Sequence, residues 1–85
     1  MSVQSTQTEA LGELEARVAA LAEENAQLRF ALESRIVIEQ AKGIIAEHQR
    51  ITVDEAFTGM RKYARDHNVG LRDVAQSVVE AGLRL

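Results

Sequence analysis

Eighty-five residues with no cysteine, no proline, a net charge of −3 and only Phe30, Phe57 and Tyr63 as aromatics make one small domain with a modest core. That composition excludes a disulfide framework and thiolate chemistry, and no apolar run approaches the ~20 residues that cross a bilayer. Ala, Leu, Glu, Gln and Arg dominate, which predicts an all-α protein.

Charge is distributed unevenly. Residues 1–33 hold Arg17 and Arg29 against six glutamates, a balance of −4, whereas residues 34–85 hold eight basic against seven acidic side chains, a balance of +1. The acidity therefore belongs to the N-terminal third, and the remainder is open to a polyanionic partner without being indiscriminately basic. The first ten residues lack the basic and apolar regions of a signal peptide, so the expected compartment is the cytoplasm, with no membrane partner.

In chain order, residues 1–8 are polar and rich in Ser, Thr and Gln without an apolar period, and they read as a disordered tail. Residues 9–33 read as a coiled-coil dimerisation segment. Leu11, Val18, Asn25 and Leu32 fall at a, and Leu14, Leu21 and Leu28 at d, with spacings of three and four in strict alternation. Leucine at d with one asparagine at a predicts a parallel, in-register homodimer, because two buried amides satisfy each other across the two-fold axis. Glu24 at g and Arg29 at the following e can pair between chains. The segment amounts to roughly 35 Å of helix at 1.5 Å per residue. A coiled coil with a different protein satisfies the same pattern.

Residues 34–85 read as a small three-helix bundle. No Gly or Pro separates Leu32 from Ile36, so the coiled-coil helix continues into the first domain helix and ends near His48 to Arg50. Val37, Ile38, Ala41, Ile44, Ile45 and His48 make its expected core face. Thr52-Val53-Asp54-Glu55 is a capping box that opens a second helix reaching about His67, with Ala56, Phe57, Met60, Tyr63 and Ala64 inward and Phe57 expected as the least replaceable position. Asn68-Val69-Gly70 stops it. A third helix runs from Leu71 or Arg72 to Ala81 and presents Val74, Ala75, Val78 and Val79.

The candidate binding chemistry is basic. Arg61 and Arg65 lie four apart on the second helix. With Lys42 and Arg72 they can form a phosphate-binding surface, on which arginine planes also stack against unpaired bases. Gly43 follows Lys42 inside a helix, where glycine costs about 1 kcal/mol relative to alanine, and its presence points to close approach by another helix or a ligand backbone. His48 and His67 have no second His or Cys at ligand spacing, so no metal or other cofactor is expected. Nucleophile, base and orienting group share no local constellation, and no Gly-rich phosphate loop is present, so the chain does not read as an enzyme.

Ala31-Leu32, Ser34-Arg35, Ile38, Gln40-Ala41-Lys42-Gly43, Glu55-Ala56-Phe57, Arg61, Ala64, Asn68, Leu71 and Val74-Ala75, in that order and spacing, resemble the ANTAR family of RNA-binding antitermination domains. The resemblance implies recognition of paired small stem-loops that overlap a transcription terminator, with contacts from Arg35, Gln40, Lys42, Gly43 and Arg61. It also implies a sensor domain, which 85 residues do not accommodate beside this one, so control is expected from a separate sensor or regulatory protein, from dimerisation, from expression level, or from a further portion of a longer chain. From the residues alone two other readings stay open. One is a helix-turn-helix DNA-binding regulator, for which the third helix offers only Gln76 and Ser77 as base readers; the other is an adaptor that only dimerises or docks a protein.

Overall fold

The structure, a computed structural model, describes residues 3–85, and they form three helices: α1 Val3–Gln49, α2 Val53–Asp66 and α3 Leu71–Ala81. The expected all-α class and the three-helix order are present, with α2 and α3 starting where their caps predict. The expected disordered tail differs. α1 already begins at Val3, and only Met1 and Ser2 of that tail lie outside the described residues. Gln, Ser and Thr are middling helix formers, and once a helix exists downstream each added residue gains a backbone hydrogen bond without a new nucleus.

The chain divides into two units, residues 1–31 and 32–85. In the first, every side chain from Ser5 to Ala31 is exposed. The heptad leucines and Val18 keep 57–66% of their surface, because one helix has nothing of its own to cover an apolar stripe. Asn25 is exposed in the same row.

The second unit is held together by Ala41 and Ile45 from α1, Ala56, Met60 and Ala64 from α2, and Val74, Ala75 and Val78 from α3. Four of these eight are alanines, so the helices can approach closely, and Met60 and Val74 are the largest side chains that are wholly buried. Val37, Ile38, Ile44, Tyr63, Leu71 and Val79 pack around this centre. The periodicity therefore picked the correct faces, with two corrections. Phe57 is half-buried at the edge, and Met60, one turn later, takes the centre; His48 is exposed, beside Gln49 and the C-terminal Leu83–Leu85.

Each helix end has a local chemical cause. α1 stops without glycine: Arg50 adopts a left-handed conformation (φ 55°), and the Ile51 N–H donates to the Ala46 carbonyl at 3.1 Å. A non-glycine residue in that region costs about 1–2 kcal/mol, and the packing of Ile51 against the core offsets it. At Thr52 both halves of the capping box form, Glu55 N–H to Thr52 Oγ1 at 3.0 Å and Thr52 N–H to Glu55 Oε1 at 3.2 Å. Asn68 (φ 52°) turns the chain after α2, with Val69 N–H donating to the Ala64 carbonyl at 2.9 Å, and Gly82 (φ 69°) closes α3. Beyond it Leu83 and Leu85 return to the core, and Gln49 Nε2 donates to the Leu85 carbonyl at 2.9 Å.

Thr52→Ala removes an acceptor for a backbone N–H and is expected to destabilise the domain by about 1 kcal/mol. Thr58→Ala, which removes only a donor to the Asp54 carbonyl one turn back, stays within about 0.5 kcal/mol. Urea denaturation followed by circular dichroism checks both.

Candidate functional site

Two buried residues position the charged edge of the bundle. Lys42 follows Ala41 on α1 and Arg61 follows Met60 on α2, so each cation stands about 100° around its helix from a core residue. Between them lies the ring of Phe57. Lys42 Nζ is 4.2 Å from its centroid and Arg61 Cζ is 5.0 Å away. A cation within ~6 Å of an aromatic centroid gains about 0.5–1 kcal/mol at an exposed site. One half-buried ring thus holds together positive charges from two helices.

The two cations are not equivalent. Lys42 also meets Glu39 Oε1 at 2.9 Å, and its side chain is only 16% exposed, so it is anchored on both sides. Arg61 is exposed, as is Arg65 one turn further along α2. Arg35 is exposed two turns before Lys42, on the same stripe of α1, with Glu39 between them. Arg61 is therefore the arginine that presents donors to solvent beside Phe57, with Arg65 one turn beyond it on α2. Lys42 contributes its charge from a fixed position.

Three of the expected site residues lie elsewhere. Gln40 is on the opposite flank of α1 from Lys42, two residues and ~200° away, and Gly43 sits on the face turned away from the core. Both are exposed. Arg72 is directed inward: Nη1 donates to Ser34 Oγ at 2.9 Å and Nη2 lies 3.5 Å from Glu33 Oε2, with its side chain 23% exposed. It ties the start of α3 to α1. Tyr63 stacks on His67 at 3.9 Å and 18°, and the His67 Nδ1 donates to the Tyr63 carbonyl at 2.9 Å. That pair borders the cleft between α2 and α3 with Val69, Asp73 and Ser77, away from the Phe57 edge.

The residue of this edge that sequence reasoning placed wrongly is Phe57. An aromatic four residues before an arginine on a helix is a pattern that permits a cation–ring contact, but the same position also satisfies the core period. No group of three or more His, Cys, Asp or Glu that could hold a metal occurs among the described residues.

A family model for the ANTAR domain matches residues 26–79, which take in the Phe57 edge, all of α2 and most of α3. The chain belongs to the ANTAR family. That family consists of RNA-binding antitermination regulators and is regulatory, not enzymatic. Neither the curated proteins nor the solved structures supply a match. Among the described residues no helix is long and apolar enough to cross a membrane. Within the ANTAR match, Lys42 and Arg61 are the two basic residues that the fold brings onto one ring.

A double-mutant cycle with Lys42→Met and Phe57→Leu, read by urea denaturation, is expected to give a coupling energy of about 0.5–1 kcal/mol. Pairing Lys42→Met with Val79→Ala, on the far helix, should give additive effects.

Proposed function

We propose that this ANTAR protein is an RNA-binding antiterminator that acts as a homodimer, holding two adjacent small stem-loops of a nascent transcript so that the competing terminator cannot form. The observation that carries the reading is the convergence of Lys42 and Arg61 on Phe57, with Arg65 alongside, inside the segment matched by the ANTAR model. Arginines exposed beside a fixed positive charge suit an RNA loop: the guanidinium planes stack on unpaired bases and donate in pairs to phosphate oxygens. Arg35 extends the same edge along α1.

The dimer supplies what one small site lacks. The exposed leucines of the first unit are the surface that a parallel coiled coil buries, and Asn25 selects its register. Two linked sites gain 10²–10⁴ in avidity, as an order of magnitude, when their spacing fits the ligand. A transcript with paired stem-loops is such a ligand. A separate sensor or regulatory protein is one source of control for such a dimer, and the nascent transcript places the work in the cytoplasm. A DNA-reading role is disfavoured by α3, where Gln76 and Ser77 are half-buried and the exposed neighbour is the acidic Glu80.

Fluorescence anisotropy with an RNA carrying two adjacent hairpins tests this. Tight, salt-dependent binding is expected, weaker for loop-scrambled RNA and for duplex DNA. Arg61→Ala and Arg65→Ala should each lower affinity and make the salt slope shallower by about 0.7–0.9 for every phosphate the arginine neutralises. Equal weak binding to all three nucleic acids, unaffected by these substitutions, would sink the RNA reading. For the dimer, sedimentation equilibrium should show the full chain as two copies and Leu21→Lys as one. Asn25→Leu is expected to raise thermal stability while admitting other oligomers.

A further inference from the structure

The heptad register that organises the proposed dimer runs into charge just beyond Leu32, since its next positions fall on Arg35 and Glu39. Beside Arg35 lies Ile36, and it is 50% exposed, on the same side of α1 as Leu32 at 60%. Seven residues after Ile36 comes Gly43, also exposed, where an added Cβ would meet no atom of this chain within 4 Å. All three lie on the face of α1 opposite Ala41 and Ile45. The fold of this chain does not need a glycine there, and a helix interior is where glycine is least favourable.

We infer that the occupant of this face is α1 of a second copy, parallel and in register, in an interface that reaches into the ANTAR domain through Ile36 and Gly43. The inference rests on the homodimer reading and extends it. Moving four residues from Leu32 to Ile36, where the heptad would move three, is an insertion of the kind that unwinds a left-handed supercoil locally. The eleven residues from Leu32 to Gly43 make three turns at 3.67 residues each, close to an undistorted helix. Two such helices run nearly straight beside each other, and a glycine lets their backbones approach.

The flanks of the face fit the same partner. Arg35 and Lys42 line one side, Gln40 and Glu47 the other. In a parallel pair the first flank of each copy meets the second flank of its partner, which sets the Arg35 guanidinium against the Gln40 amide. Glu39, also near this face, has its charge met by Lys42 of its own helix at 2.9 Å, which lowers the cost of placing two copies of it across the axis. The arrangement accounts for Gln40 and Gly43, which the Phe57 edge leaves unused, and keeps Phe57, Arg61 and Arg65 outside the interface.

The chain has no cysteine, so single cysteines report contacts without background. Leu28→Cys, Ile36→Cys, Gly43→Cys and, on α2, Thr58→Cys would be oxidised with diamide in the full-length chain and resolved on non-reducing gels. The expected result is majority cross-linking at positions 28, 36 and 43 and a trace at 58. Cross-linking at 28, with 36 and 43 at the level of 58, would overturn the inference while leaving the coiled-coil dimer intact. A trace at all four positions would remove the dimer and the inference together. Because a cysteine in the middle of a helix can perturb packing, Ile36→Glu provides a second reading. It should weaken the dimer at least tenfold by sedimentation equilibrium with helicity unchanged, and an unaltered dimer would count against the interface.

Discussion

The ANTAR domain of this chain depends on how closely three helices can approach around Met60. Alanines at 41, 56, 64 and 75 supply almost no bulk, so the methionine and the branched side chains of Ile45, Val74 and Val78 fill the space that remains. Methionine suits such a position because its unbranched chain adapts to an irregular gap. Replacing it with alanine would leave a cavity, a change that costs about 2–5 kcal/mol, which is a large share of the stability of a domain this small. Large aromatics are accordingly pushed to the margin.

That margin is where two cations meet one ring. Phe57 precedes Met60 by one turn and Arg61 follows it directly, while Lys42 follows Ala41. Packing the centre therefore delivers one ring and two cations to the same edge without any separate device for assembling them. Lys42 and Arg61 also benefit from the ring as an anchor that leaves their charge intact, which a carboxylate would not. Glu39 on Lys42 is the counterexample: it fixes the ammonium and offsets part of its field. Arg61 and Arg65 remain exposed, with their donors open to solvent.

Arg72 shows the opposite use of the same chemistry. Its guanidinium joins Ser34 and Glu33, and so secures the start of α3 against α1. Five donors in a planar fork allow one side chain to reach two acceptors at once, which a lysine could not do with the same geometry. The C-terminal turn adds a second tie through Gln49 and the Leu85 carbonyl. Both links are polar clasps on the rim of a small apolar centre, and both relieve the burden on a core of eight residues.

Local signals in the amino-acid sequence were enough to define α2 and α3. Thr52 and Glu55 marked one start, Asn68 to Gly70 one stop, and the three-to-four spacing of apolar residues marked the inner faces of α2 and α3. These signals act within one turn, between residues that meet in any helix. The heptads were equally plain, because a seven-residue repeat is a property of a single strand of sequence. Arg50 in a left-handed turn was not legible, since arginine is a poor marker of that conformation and the compensating contact is Ile51 against the core. Nor could spacing tell Phe57 from Met60 as the central residue: both satisfy the helical period, and only the volume left between three packed helices excluded the ring. The pairing of Arg72 with Ser34, 38 residues away, and of Lys42 with Phe57 exists only after those helices meet. Sequence alone determined the helices and most of their inward faces, because those signals act within one turn; tertiary packing decided which aromatic was held at the edge, which cations became structural and which were left exposed, because those contacts join residues far apart in the chain.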